Sequence, residues 1–172
     1  YDHNSLEYNI ILTEAMRFSF ADRSEFLGDK DFNNFDISKI TSKKYAKALS
    51  TIIKGSKRKI AIDSPGKYFT ESEETTHFSI IDSNGNAVSN TYTLNTAYGS
   101  GIIAKGTGIL MNNEMDDFSI KPGFPNFFGL VGSEANKVQS KKAPLSSMTP
   151  TIVLQDGKPF LITGSPGGST II

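Results

Sequence analysis

Apolar residues in the first third of the chain recur every three to four positions. Ile11, Ala15 and Phe18 share one face, with Leu12, Met16 and Phe20 beside it, and this period predicts an amphipathic helix. Asp36 to Ser42 interrupts the run. A second helix is expected after it, with Thr41 or Ser42 as N-cap and Tyr45, Ala46, Leu49, Ile52 and Ile53 as its apolar stripe. Gly55 and Ser56 end it. Residues 62–74 read as an exposed connection, with Pro65-Gly66 followed by the acidic stretch Glu71-Ser72-Glu73-Glu74.

From Thr75 the period becomes two. Phe78 to Asp82 runs into Ser83-Asn84-Gly85-Asn86, and an apolar alternation returns from Ala87 to Leu94. Asn-Gly between two such runs predicts a hairpin with a type I′ turn, whose two central residues both need positive φ. Thr151 to Leu154, Gln155-Asp156-Gly157-Lys158 and Pro159 to Thr163 repeat the device. Between the hairpins, residues 112–150 carry Pro122, Pro125, Pro144 and Pro150 and little periodicity. So long an irregular stretch inside a compact domain is expected to be functional. The chain closes on Gly167-Gly168-Ser169-Thr170-Ile171-Ile172 directly after a strand, which reads as part of a larger protein.

Composition narrows the function classes. Eighteen basic and eighteen acidic side chains cancel, against the basic excess of a nucleic-acid surface. Lys54, Lys57, Arg58 and Lys59 cluster, but at the end of the second helix, where they read as a solvated terminus. The chain has no cysteine, which excludes disulfides and thiolate chemistry and leaves the compartment open. No apolar run approaches the roughly 20 residues that span a bilayer, and Tyr1-Asp2-His3-Asn4 is no signal peptide. His3 and His77 stand alone, so no metal site is expected, and nothing implies a cofactor. The 37% share of hydrophobic residues is ordinary and permits a sizeable core.

Thr75 and Thr76 lie where the acidic connection meets the first strand. A threonine hydroxyl is a weak nucleophile until a base takes its proton, and the simplest base is the residue's own α-amine, with a free pKa of about 7.7–8.0. That amine exists only if the Glu74–Thr75 bond is cut, and an exposed loop feeding a pinned strand suits such a cut. On these residues alone the nucleophile reading is weak, and Thr-Thr reads first as a pair of β-formers opening a strand.

Gly164-Ser165-Pro166-Gly167-Gly168-Ser169 follows a strand and places two glycines in succession. Their N–H groups could form an oxyanion-binding nest, or the segment could be a plain glycine turn. Asn112-Asn113-Glu114-Met115-Asp116-Asp117 and Leu145-Ser146-Ser147-Met148 supply carboxylates and hydroxyls on loops. Together they could grip a zwitterion, carboxylates facing an ammonium and hydroxyls facing a carboxylate; singly, each is ordinary turn or cap chemistry. The aromatic stretch Phe124 to Phe128 is expected to pack into the core rather than line a cleft.

Five motifs occur in order: Thr75-Thr76-His77-Phe78-Ser79, Thr91-Tyr92-Thr93-Leu94-Asn95, Leu110-Met111-Asn112-Asn113-Glu114-Met115-Asp116-Asp117-Phe118, Pro144-Leu145-Ser146-Ser147-Met148-Thr149-Pro150-Thr151 and Gly164-Ser165-Pro166-Gly167-Gly168. They closely resemble the start of the small subunit of bacterial gamma-glutamyltranspeptidases. Asp22-Arg23-Ser24-Glu25-Phe26-Leu27-Gly28-Asp29 resembles the end of the large subunit of the same proenzyme. The resemblance covers nearly the whole chain.

The resemblance implies an α+β, N-terminal-nucleophile hydrolase fold (an αββα sandwich), here an incomplete portion of it. Residues 1–74 would be the helical C-terminal part of the large subunit, ending in a processing loop, and 75–172 the mainly β N-terminal part of the small subunit. It further implies self-cleavage between Glu74 and Thr75, attack of Thr75 on the γ-amide of glutathione or a related donor, and transfer of the γ-glutamyl group to water, an amino acid or a peptide. By position, Thr93 resembles the hydroxyl that orients the nucleophile. Asn95, Glu114 and Asp117 resemble the group holding the donor α-amine, Ser146 and Ser147 the hydroxyls on its α-carboxylate, and Gly167 with Gly168 the oxyanion hole. An arginine that the family supplies from further upstream has no counterpart here, and family members continue past Ile172. This portion alone is therefore expected to be weakly active or inactive, with the remaining large- and small-subunit segments as its partners. Export to the periplasm or cell exterior is carried by the resemblance only. A poly-γ-glutamate depolymerase or transpeptidase of the same family, a more distant acylase and a fragment that only binds γ-glutamyl ligands are the alternative readings.

Overall fold

The computed structural model describes residues 1–55 and 75–172, apart from the side chain of Thr170. The expected connection at 62–74, the basic positions beyond Lys54 and the residue Glu74 lie outside the described residues.

Helix α1, Leu6–Phe26, starts at Ser5, whose hydroxyl accepts the Tyr8 N–H at 3.2 Å and satisfies one of the open donors of the first turn. Glu7 in the first turn and Arg23 in the last complement the helix dipole. The helix ends at Phe26, earlier than the interruption expected at Asp36. Within that interruption the chain forms a single helical turn, α2, Ser38–Thr41. Helix α3, Lys43–Gly55, is capped by Ser42, which accepts the Tyr45 N–H at 3.1 Å. Of the two expected caps, Ser42 is the one used. The stripes face each other as the period requires: Ile11 and Ala15 of α1 lie across from Tyr45, Ala46, Leu49 and Ile53 of α3. Tyr45 closes the pair by donating to the Asp22 carboxylate at 2.8 Å. Ile52, expected in the stripe, is 55% exposed.

Strands β1, Thr76–Ile81, and β2, Ala87–Tyr92, pair antiparallel from Thr76↔Tyr92 to Ile81↔Ala87. Their turn is not the expected type I′. Gly85 has a positive φ of 85°, but Asn84 is not among the positive-φ residues. The Asp82 carboxylate is the reason: it takes the N–H groups of Asn84 and Asn86, both at 2.9 Å, and the Asn86 side-chain amide at 2.7 Å. An aspartate-centred loop thus replaces the tight turn. Strands β3, Thr151–Gln155, and β4, Lys158–Thr163, do close through a type I′ turn, with Asp156 at φ 51° and Gly157 at 76°. Ser89 of β2 donates to the Thr163 carbonyl at 2.8 Å, and the His77 imidazole sits against Gly164 just past β4, so the two hairpins lie together.

The C-terminal end of α1 clamps the irregular stretch. Ser24 donates to the Val131 carbonyl; Ser133 donates its N–H to Ser24 O at 3.2 Å and its hydroxyl to Glu25 O at 2.7 Å. The Ala143 N–H donates to Asp29 at 2.8 Å, and Gly28 lies so close to the Ala135 carbonyl that no side chain fits there. Inside the stretch, Asn136, 6% exposed, holds three segments at once. It gives its amide to Asp117 O at 2.7 Å, accepts the Leu145 N–H at 3.1 Å, and offers its carbonyl to Ser119 N at 2.9 Å.

Two expectations fail. Among the described residues Phe118, 3% exposed, is the only apolar side chain buried beyond nine-tenths, so the sizeable core is absent. Ile80, Ile81 and Phe160 leave the faces of both hairpins open, at 54%, 56% and 69% exposure. The aromatic stretch is likewise not core. Phe124 and Phe127 are 55% and 71% exposed, Phe124 lies beneath the Lys121 ammonium at 3.7 Å, and only half-buried Phe128 turns inward, to the wall of a pocket.

Candidate functional site

The hairpin register sets the first two residues of the site. Thr76 pairs with Tyr92, so Thr75 and Thr93 follow one step beyond on opposing strands. Both line a narrow pocket of about 30 Å³. Its walls also include Asn95, Glu114, Asp117, Ser146, Ser147 and Gly168. Every residue expected to bind or react, drawn from four separate loops and a strand end, thus borders one space, apart from Gly167, which adjoins it, and Glu74, which is not described. Phe128, Leu130 and Met148 supply apolar wall.

The backbone at the centre is unusual. Thr75 has a φ of 85°, and a β-branched side chain at positive φ is a true outlier, costing on the order of 1–3 kcal/mol. Asn95, 5% exposed, has a φ of 77° and gives its amide to the Asn113 carbonyl at 3.3 Å. Gly167, at φ 134°, and Gly168, at φ 57°, take conformations closed to most side chains and open the final 3-10 turn, Gly168–Thr170.

Three hydroxyls share one arrangement. Thr93 accepts the Asn95 N–H at 3.0 Å, Ser146 accepts the Met148 N–H at 3.0 Å, and Ser147 accepts Nη2 of Arg23 at 3.2 Å. A hydroxyl whose oxygen is held by a donor keeps its own hydrogen to give. The two serines can therefore donate to a carboxylate and Thr93 can donate toward Thr75, although no hydrogen bond joins the two threonines in this structure.

The opposite wall is acidic. Glu114 and Asp117 are the two ends of a 3-10 turn, Glu114–Asp117. Oε1 of Glu114 is buried with no hydrogen-bond partner. Burial, then repulsion from Asp117, pushes the Glu114 carboxyl up to about 7. Burial, then Asp116, pushes Asp117 up to about 6, against the pull of Arg23. A carboxyl pair kept partly neutral by burial is short of positive charge, and an ammonium ion would supply it.

Arg23 was not expected here. It reaches the site from the last turn of α1, donating to the Ser146 carbonyl and the Ser147 hydroxyl, both at 3.2 Å. Asn113 was also missed as a support. Its carbonyl holds Asn95 and its side chain takes the Thr96 N–H at 3.2 Å. Both lie within motifs that carry the family resemblance, Asp22 to Asp29 and Leu110 to Phe118, but the resemblance assigns neither of them a role.

A family model described as Gamma-glutamyltranspeptidase matches residues 1–172. The glutathione hydrolase proenzyme of Escherichia coli strain K12 is 53% identical over 174 residues, covering 100% of this chain and 30% of its own length. A solved mutant of Helicobacter pylori gamma-glutamyltranspeptidase is 62% identical, with a TM-score of 0.53, covering 56% of this chain and 52% of that one. The gamma-glutamyltranspeptidase of Pseudomonas nitroreducens, solved as a complex with L-DON, is 62% identical with a TM-score of 0.53, covering 55% of this chain and 49% of that one. The chain spans about 30% of the length of its Escherichia coli and Pseudomonas aeruginosa relatives.

Proposed function

The chain belongs to the gamma-glutamyltranspeptidase family, and from that membership we propose that it carries the reacting centre of an enzyme that transfers or hydrolyses γ-glutamyl groups, with Thr75 as nucleophile. Its fold is a portion of the N-terminal-nucleophile hydrolase fold of its structural neighbours. The observation that carries the proposal is the single pocket shared by Thr75, Thr93, Asn95, Glu114, Asp117, Ser146, Ser147 and Gly168.

The chemistry proceeds in two attacks by one hydroxyl. In the precursor, Thr75 Oγ attacks the Glu74 carbonyl, the C–N bond breaks, and the acyl group passes to oxygen; water hydrolyses the resulting ester and leaves Thr75 with a free amine. The positive φ of Thr75 supports this reading. φ is defined by the preceding carbonyl carbon, so the strain disappears when that bond is cut. In the mature enzyme the amine takes the hydroxyl proton, Thr75 Oγ attacks the γ-amide of the donor, and the Gly167 and Gly168 N–H groups face the oxyanion. The donor amine leaves with a proton, forming a γ-glutamyl ester that water, an amino acid or a peptide then resolves. Glu114, Asp117 and Asn95 meet the donor ammonium, and the Ser146 and Ser147 hydroxyls its carboxylate.

Glutathione is the proposed donor, and the remaining segments of the proenzyme are the proposed partners. Periplasmic or extracellular location belongs to the same proposal; no helix among the described residues is long and apolar enough to cross a membrane. The test is covalent labelling of the mature full-length protein with an electrophilic glutamine analogue such as L-DON, followed by peptide mass mapping. A single adduct on Thr75, blocked by excess glutathione, is expected. An unlabelled Thr75 in processed protein would overturn the assignment.

A further inference from the structure

Arg23 belongs to α1, upstream of the cut, yet ends among residues that lie more than a hundred positions downstream. It is half-buried, and burial works against its charge while Asp117 favours it. One guanidinium thus touches the Ser146-Ser147 segment and faces Asp117, which stand on the carboxylate-binding and ammonium-binding sides of the proposed substrate pocket.

The clamp between α1 and the irregular stretch does not need this contact. Ser24 to Val131, Ser133 to Ser24 and Glu25, and Ala143 to Asp29 already secure it. Arg23 also has open space beside it. It borders a second cavity, of about 300 Å³, that shares Asp117, Leu130 and Ser147 with the substrate pocket. Its two hydrogen bonds hold it there.

We propose that Arg23 is a positioning residue for the zwitterionic end of the donor: it fixes the Ser147 oxygen so that the hydroxyl hydrogen points into the pocket, and it supplies the positive charge that balances Asp117. The inference rests on the donor-binding roles proposed above. Ser147 without Arg23 loses the donor on its oxygen and is free to rotate. Without Arg23, the charges left acting on Asp117 are those of its acidic neighbours Glu114 and Asp116.

The test compares Arg23→Gln, Arg23→Lys, Ser147→Ala and the double variant Arg23→Gln/Ser147→Ala in the full-length protein, with a γ-glutamyl anilide as donor. Arg23→Gln is expected to raise KM roughly tenfold or more, the size of a lost charge-assisted hydrogen bond, while kcat changes by about threefold or less. Arg23→Lys should recover part of the loss. The double variant should be little worse than the poorer single variant, since both changes break the same contact. The acidic limb of kcat/KM should move to higher pH in Arg23→Gln, as Asp117 loses its cation. An unchanged KM, additive effects, or a lysine no better than glutamine would overturn the proposal. If Arg23→Gln loses its cooperative thermal transition, the KM and acidic limb of Arg23→Lys decide in the same way. An inert wild-type protein would instead sink the donor-binding reading itself.

Discussion

Glu114 and Asp117 stand at the two ends of one 3-10 turn and border the same pocket, with Glu114 Oε1 buried and unpartnered. Both carboxyls lie above their ordinary range, at about 7 and about 6. As pH falls through 7 and then 6, first Glu114 and then Asp117 takes up a proton, and the countercharge for an ammonium ion is lost. The value of kcat/KM for a γ-glutamyl donor is therefore expected to rise with pH between about 6 and 7. A free Thr75 amine adds a separate rise near pH 8, because it acts as base only when neutral. Glu114→Gln should remove the limb near 7 and leave the later one. A pH profile of the two proteins checks this, and identical acidic limbs would refute it.

The same burial predicts the opposite trend in stability. Glu114 rises from 4.5 in the unfolded chain to about 7 in the fold, so the folded state holds the proton more tightly. Stability should then fall as pH rises from about 4.5 to 7, and the loss should persist above 7. Glu114→Gln removes that loss. Because Glu114 is only half-buried, solvent screening reduces the expected gain at pH 8 to about 1 kcal/mol, vanishing near pH 4.5. Thermal unfolding of both proteins at the two pH values measures it. A variant more stable yet weaker in donor binding would show a stability–function trade-off at this residue.

What period and turn chemistry made legible was local; the far-apart residues that border the pocket were named through the family resemblance, not through spacing. Alternation from Phe78 to Leu94 placed a hairpin, but the Asn84-Gly85 turn expected for it would set Thr75 opposite Leu94. The three-residue loop that the Asp82 carboxylate holds shifts the register by one and sets Thr75 opposite Thr93. The helical periods of α1 and α3 and a cap at Thr41 or Ser42 were readable for the same reason, as each depends on neighbours within four positions. The Asp82-centred loop was missed because a carboxylate three residues before Gly85 outweighed the Asn-Gly signal. Phe124 and Phe127 were misplaced because hydrophobic side chains report burial only when a period says which face they take, and that stretch has none. Arg23 and Asn136 act through contacts with distant segments, which no spacing along the chain discloses.

Processing and turnover are expected to fail together at Thr75. Thr75→Ala removes the hydroxyl proposed to make both attacks, so the full-length protein should remain one polypeptide and release no product. Thr75→Ser keeps the oxygen and should retain part of both activities. Intact mass spectrometry, paired with a γ-glutamyl anilide assay, distinguishes the outcomes. Cleavage before residue 75 in Thr75→Ala would show that another group makes the first attack.

Gly164 lies against the imidazole of His77. A Cβ at Gly164 would overlap the imidazole ring. That ring cannot easily swing aside, because Nδ1 bonds the Thr91 hydroxyl at 2.7 Å and Nε2 the Ser79 hydroxyl at 3.1 Å. Gly164→Ala should therefore cost about 1–3 kcal/mol by overpacking. It should also displace the segment leading to Gly167 and Gly168, lowering kcat more than it raises KM. Removing the ring should relieve the clash, so Gly164→Ala/His77→Ala should lose less stability than the sum of the single changes. Urea denaturation of the three variants measures the coupling, and strict additivity would mean that the ring and the glycine do not constrain each other.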